Sequence, residues 1–265
     1  MDPGAVDPGA AVLVVRGLGV SYGGVRAVDG IDLDVGAASL VGLIGPNGAG
    51  KTTCIDGITG FVRATGRVRF DGHQVEDLRP HQRARLGLVR TFQSLELFDD
   101  LTVLENLLVA APRPSWWART RDAVLARRDT AAAESALAKV GLDRLTNQRV
   151  TELSLGQRKL VAVARALARR PRLLLLDEPA AGLDTHESLE LGHHLRRLVD
   201  GGLTILLVDH DMHLVLGICD DVYVLDFGRV IFHGNPSAVR ADPSVVTAYL
   251  GTGRTTPSAA PSPGP

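Results

Sequence analysis

Two cysteines in 265 residues, Cys54 and Cys219, are too few for a disulfide framework and suit a reducing compartment better than a secreted one. An excess of charge of one sign is also missing. The formal net charge is -1, so the chain has no global basic character to draw it to nucleic acid or to an acidic membrane surface. No stretch offers the roughly 20 uninterrupted apolar residues that a membrane span needs. The first ten residues, MDPGAVDPGA, lack the basic-then-apolar pattern of a signal peptide. Any role at a membrane is therefore expected to come through a partner. No repeat of fixed period and no sustained heptad pattern is visible.

What is present is ordinary for a globular protein: 45% hydrophobic and 22% charged residues, in a chain long enough for one substantial core. Residues 1–10 read as a loose lead-in, and 252–265, nearly all Gly, Thr, Pro, Ser and Ala, as a disordered Pro-rich tail. Between them, Leu40–Ile44, Leu173–Leu176 and Leu203–Val208 are continuous apolar runs. Such runs suit strands covered on both faces, as in a mainly parallel sheet. Val12–Val15, Ile31–Val35 and Arg67–Phe70 read as an antiparallel sheet beside it. From Thr102 to Leu167, Ala, Leu and Arg recur at helical spacing, broken by PRPSWWART around Trp116 and Trp117. The expectation is an α/β fold: a P-loop core, an N-terminal antiparallel β subdomain and an inserted helical subdomain over about 95–168, within one domain spanning 11–251.

The strongest local signal is GPNGAGKT, formed by Gly45, Pro46, Asn47, Gly48, Ala49, Gly50, Lys51 and Thr52. It fits G-x-x-x-x-G-K-[ST] and lies between a predicted strand and a predicted helix, as the motif requires. Glycines let backbone N–H groups turn in around phosphate oxygens, and the helix N-terminus adds positive potential. Lys51 supplies a point charge to the outer phosphates, the Thr52 hydroxyl is a magnesium ligand, and Thr53 is a further phosphate contact. Cys54, in an apolar setting beside them, reads as a packing residue.

LLLLDEP, Leu173–Pro179, places two carboxylates at the end of a buried strand. Alone, an acidic pair at a strand end says little. Downstream of a P-loop, Asp177 is a candidate for holding magnesium through water and Glu178 for polarising the attacking water. The cofactors expected are thus ATP and Mg2+. LSLGQ, Leu153–Gln157, precedes the helical run RKLVAVARALA, so Ser154 and Gly156 lie at a helix N-terminus able to bind an anion. DHDMH presents Asp209, His210, Asp211 and His213 close together, but not as a defined transition-metal ligand set.

The order P-loop, LSLGQ, LLLLDEP resembles the ATP-binding subunits of ABC transporters, and the resemblance covers Val12 to Gly251. It implies roles for further residues. Gln93 in RTFQ matches the glutamine that senses γ-phosphate and magnesium and faces the permease. Asp184 in AAGLD matches the loop that crosses to the partner ATPase, and His210 the histidine on the γ-phosphate. Tyr22 matches the aromatic residue stacked on adenine, and Ser154, Gly156 and Gln157 the segment that covers the partner's ATP.

VRTFQSLELFDDLTVLENLLVA, EPAAGL, VDHDM and DPSVVTAYLG look like the larger ATP-binding subunit of branched-chain amino acid importers. Importers for urea and short amides share much of this pattern, and ABC-type ATPases without a permease are a further alternative. The resemblance implies a second ATPase subunit in a homo- or heterodimer, integral-membrane permease subunits and an extracytoplasmic binding protein. It places the chain on the cytoplasmic face of the membrane. After LSLGQ the chain departs from many relatives by reading Arg158-Lys159-Leu160.

Overall fold

The computed structural model describes residues 11–93, 95–110 and 122–250. Trp116 and Trp117, the lead-in and the Pro-rich tail lie outside the described residues. The strands are β1 (Ala11–Tyr22), β2 (Val25–Gly36), β3 (Leu40–Ile44), β4 (Thr65–Phe70), β5 (His73–Gln74), β6 (Leu88–Arg90), β7 (Leu173–Asp177), β8 (Thr204–Val208), β9 (Asp221–Asp226) and β10 (Arg229–Gly234). The helices are α1 (Lys51–Thr59), α2 (Pro80–Arg85), α3 (Val103–Val109), α4 (Asp122–Lys139), α5 (Leu155–Leu167), α6 (Thr185–Asp200), α7 (Met212–Ile218), α8 (Pro236–Ala241) and α9 (Pro243–Leu250).

Two sheets result. One has four strands in the order β2-β1-β4-β5, all antiparallel. The other has six in the order β10-β9-β3-β8-β7-β6, parallel from β9 to β6, with β10 antiparallel at its edge. The apolar runs that announced β3, β7 and β8 are buried at every position. Their alternate residues serve two cores. Leu174, Leu176, Ile205 and Leu207 pack with the helices, among them Leu137 and Val161. Leu173, Leu175, Leu206 and Val208 face the other way, toward Ile55 and Ile58 of α1 and toward Leu13 and Phe70 of the antiparallel sheet. Each fully buried Leu or Val side chain contributes roughly 1.5–3 kcal/mol, so both faces of the central sheet are firmly held.

The antiparallel strands run longer than the sequence pattern suggested. In β1 the buried positions are Leu13 and Val15, then Leu18 and Val20, so the inward set shifts from odd to even numbers. A bulge between Val15 and Leu18 makes that shift, and strict alternation cannot be followed across it. The β9–β10 hairpin was also absent from the sequence reading. Its turn, Phe227-Gly228, has φ of 42° and 77°, the left-handed pair that closes a tight two-residue hairpin.

Candidate functional site

The C-terminal ends of β3, β7 and β8 open on one edge of the parallel sheet, where parallel α/β sheets place their ligand sites. Residues 45–50 leave β3 and enter α1 there. A Cβ on Gly45 would lie 2.2 Å from the Leu225 carbonyl oxygen. Gly50 has φ of 101°, and a Cβ there would lie 2.6 Å from the Ala27 carbonyl oxygen. Only glycine fits either place, and the turn is clamped between β9 and β2. Lys51 lies back over the turn, 6% exposed, its Nζ donating to the carbonyls of Gly45 at 2.7 Å and Pro46 at 3.0 Å. Burial pushes its amine below the ordinary lysine value; Glu178, Asp209 and Asp177 oppose that shift. By helix geometry the first N–H groups of α1 have no intrahelical acceptor, which leaves them for an anion.

Asp177 ends β7 and is buried, at 2% exposure. Its Oδ1 accepts from the Thr52 hydroxyl at 3.5 Å, and its Oδ2 from the Arg90 guanidinium at 2.7 Å. A carboxylate and a hydroxyl this close, beside a glycine turn and a buried lysine, form a hard-oxygen donor set of the kind magnesium takes. The residues present fit a magnesium–nucleotide complex. Glu178 follows with φ of 46°, rare for a non-glycine residue and held by its N–H donating to the Val208 carbonyl at 2.7 Å. That turn sends its side chain away from Asp177 and toward two others. Gln93 Nε2 donates to Glu178 Oε2 at 2.8 Å, and His210 Nδ1 lies 3.8 Å from the same oxygen. The structure therefore brings Gly45–Thr52, Asp177, Glu178, Gln93 and His210 to one edge.

Other expected residues sit elsewhere. Tyr22, 51% exposed, ends β1 at the tip of the β1–β2 hairpin, a few residues from the Ala27 that touches Gly50. Thr53 is half-buried in the first turn of α1. Ser154 caps α5 and exchanges hydrogen bonds with Gln157: Gln157 N donates to Ser154 Oγ at 3.2 Å, and Ser154 N to Gln157 Oε1 at 3.0 Å. Asp184 caps α6 in the same way with Glu187. A Cβ on Gly156 would meet that Glu187 at 3.4 Å, so the LSLGQ and AAGLD segments lie side by side. Asp209 is fully buried and accepts from the N–H groups of Ala180, His210 and Asp211, while Asp211 caps α7. Among the described residues no group of three or more His, Cys, Asp or Glu is placed to hold a metal ion.

Sequence reasoning missed Arg90, and it named Asp209 within DHDMH without its supporting role. Arg90 stands three residues before Gln93, and nothing in its local pattern marks it as buried. Cys54 and Cys219 are buried, and burial raises the Cys54 thiol to about 12 and the Cys219 thiol further still.

This fold and edge define a P-loop nucleotide-binding protein. Residues 28–181 match the family model described as ABC transporter, and 229–255 one described as branched-chain amino acid ATP-binding cassette transporter. The chain is 40% identical to the high-affinity branched-chain amino acid transport ATP-binding protein BraF of Pseudomonas aeruginosa, over 91% of this chain and 98% of that one. It is 39% identical to LivG of Escherichia coli, with the same coverage. Among solved structures, an ATP-binding cassette of an ABC transporter in its ADP conformation superposes with a TM-score of 0.82 at 31% identity, over 91% of this chain and 99% of that one. The chain belongs to the ABC transporter family, as an ATP-binding subunit that hydrolyses ATP.

Proposed function

We propose that this chain energises the import of branched-chain or closely related aliphatic amino acids. Its partners in this reading are integral-membrane permease subunits, a second ATPase subunit and, indirectly, an extracytoplasmic binding protein. It would sit on the cytoplasmic face of the membrane; among the described residues no helix is long and apolar enough to cross one. The observation that carries the substrate class is the match of 229–255 to the branched-chain cassette model, because the motifs of the phosphate edge are common to transporters of many substrates. Residues 11–251 form the ATPase domain, with 95–168 as its helical subdomain. Specificity for the amino acid would then reside in the partners.

In the chemistry proposed, Lys51 and the N–H groups of 45–52 hold the phosphates, and Tyr22 stacks on adenine. Thr52 and Asp177 are the magnesium partners, with Gln93 beside them. Magnesium, when bound, supplies neutralisation of charge on the outer phosphate oxygens. Glu178 accepts a proton from the attacking water, and Gln93 and His210 order the γ-phosphate and that water; the Gln93 hydrogen bond to Glu178 Oε2 supports Gln93's place beside the base. Ser154, Gly156 and Gln157 complete the site of a second subunit, with Asp184 at the crossing between the two. Their hydrogen bonds run to each other and not to the chain's own glycine turn, which supports that assignment. A polyanion between two helix N-termini favours the closed pair only while the γ-phosphate remains.

The test is copurification from native membranes with the Glu178→Gln variant in ATP and magnesium. Recovery of polytopic permeases and a second ATPase, with amino-acid uptake lost on deletion of the gene, is the expected result. Soluble partners alone, with the permeases present in the input, would overturn it.

A further inference from the structure

Arg90 ends β6, an edge strand of the parallel sheet, and its side chain is 6% exposed. One terminal nitrogen donates to Asp177 Oδ2 at 2.7 Å; the other donates to Asp56 on α1. The guanidinium thus ties the helix that follows the glycine turn to the carboxylate that ends β7. Asp177 has its second oxygen facing Thr52, so Arg90 and Thr52 together fix the plane of its carboxylate. A buried guanidinium between two carboxylates has a planar fork that one ammonium cannot reproduce.

Two aromatic rings also pack beside the guanidinium. Its central carbon lies 5.1 Å from the ring centroid of Phe92 and 5.9 Å from that of Phe61. The two rings meet edge to face at 5.5 Å and 87°. Phe92 immediately precedes Gln93, and the N–H of Thr91 donates to the Leu175 carbonyl of β7 at 2.9 Å. Residues 90–93 are therefore fastened to β7 and its end at three levels: a backbone bond to Leu175, the ion pair to Asp177, and Gln93 on Glu178. Both aromatic rings remain open outward, Phe61 at 53% and Phe92 at 42% exposure.

We propose that Arg90 is a positioning residue for hydrolysis, holding the Asp177 carboxylate in its metal-binding orientation, with the Phe61–Phe92 pair packed against its guanidinium. Displacement of Phe92 shifts the guanidinium it packs beside, and with it Asp177 and Gln93 together. This rests on the assignment of Asp177 as magnesium partner made above.

The experiment uses the full chain. Binding of a fluorescent ATP analogue is titrated against magnesium, and steady-state turnover is measured beside it, for Arg90→Lys, Arg90→Met, Phe92→Leu and Asp177→Asn. Arg90→Lys keeps the charge and loses the fork. Its expected result is an increase of about fivefold or more in the magnesium concentration at half-effect and a fall in kcat of about tenfold, with KM for ATP held within about threefold. Phe92→Leu shifts the magnesium midpoint the same way by a smaller factor. If Arg90→Met fails to fold, Arg90→Lys carries the test alone. An unchanged magnesium midpoint in Arg90→Lys, with Asp177→Asn shifted, overturns the proposal. An unchanged midpoint in Asp177→Asn overturns instead the magnesium assignment on which it rests.

Discussion

Gln93 and Glu178 are joined side chain to side chain, Nε2 donating to Oε2 at 2.8 Å, and His210 Nδ1 approaches the same oxygen at 3.8 Å. A carboxylate held by such a hydrogen bond has a defined direction, which a general base requires before it can act on a water. Glu178→Gln keeps the shape and removes the basicity, so turnover is expected to fall on the order of 10²–10⁴ with nucleotide binding retained. Gln93→Ala leaves the base intact and loosens it, for a loss of about tenfold. Because the two side chains share one hydrogen bond, the double variant is expected to be no slower than Glu178→Gln alone. Phosphate-release kinetics on the three variants measure this. Near wild-type turnover in Glu178→Gln would remove it from the role of base.

Lys51 gives a prediction with a pH signature. Burial sets its amine below the ordinary value of 10.5 while the surrounding carboxylates only partly oppose the shift. A lysine whose pKa is lower folded than unfolded binds its proton more readily in the unfolded chain. Below the folded pKa it therefore costs stability, and the cost fades as pH rises toward the ordinary value. Lys51→Met removes that cost. Without nucleotide its Tm is expected to equal or exceed that of the unsubstituted chain at pH 7, with the gap narrowing at pH 9.5. Addition of magnesium and ATP should raise the Tm of the unsubstituted chain and leave Lys51→Met unmoved. A lower Tm for Lys51→Met in nucleotide-free buffer at pH 7 would count against this account.

How far the sequence led follows from which features are contiguous. Gly45–Thr52 and Leu173–Glu178 are unbroken segments whose chemistry depends on local order, and their strand–turn–helix setting was legible with them. Two-sided burial of β3, β7 and β8 was legible for the same reason, since apolar runs without alternation have one reading in an α/β chain. The β1 bulge was not, because one extra residue inverts the in–out pattern on which strand recognition depends. Arg90 was not, because its partners Asp56 and Asp177 lie 34 and 87 residues away in sequence. Asp209 stood in view inside DHDMH; two of its bonds are local, from the N–H groups of His210 and Asp211, but the third, from Ala180, exists only once the end of β8 and the turn after Glu178 have come together. The Phe227-Gly228 turn carried a readable signal, a glycine between the apolar runs VYVL and VIF.

The two thiols offer a check on packing that is independent of nucleotide chemistry. Cys54 lies in α1, wholly buried, with its thiol raised to about 12, and Cys219 follows α7 with its thiol raised as well. Only the thiolate is nucleophilic, so neither cysteine should react with iodoacetamide at pH 8 while the chain is folded. Both should react in guanidinium chloride. Mass spectrometry of the intact chain reads the count directly, and rapid native labelling of Cys54 would mean that α1 opens far more readily than its surroundings allow.

Ser154 and Gln157 satisfy one another at the start of α5, and Gly156 between them lies against Glu187 of α6. If this N-terminus serves a second subunit's nucleotide, a bulky cation there should spare binding and remove hydrolysis. Ser154→Arg is therefore expected to leave nucleotide affinity of the isolated chain within about twofold, since no part of its own phosphate edge has changed. In the assembled transporter the same variant removes a positioned hydroxyl from the partner's γ-phosphate and fills its place. The loss in turnover should be on the order of 10²–10³, the scale seen when one oriented donor to a developing charge is taken away. Loss of capping is the competing cause of any defect, because an N-cap contributes about 1 kcal/mol to helix stability. Ser154→Asp separates the two: aspartate caps as well as serine does and keeps the Tm, yet sets a negative charge against the phosphate. Turnover lost in both variants, with Tm kept in Ser154→Asp, places the effect at the neighbouring nucleotide. Full turnover in Ser154→Asp would mean that this helix end meets no phosphate at all.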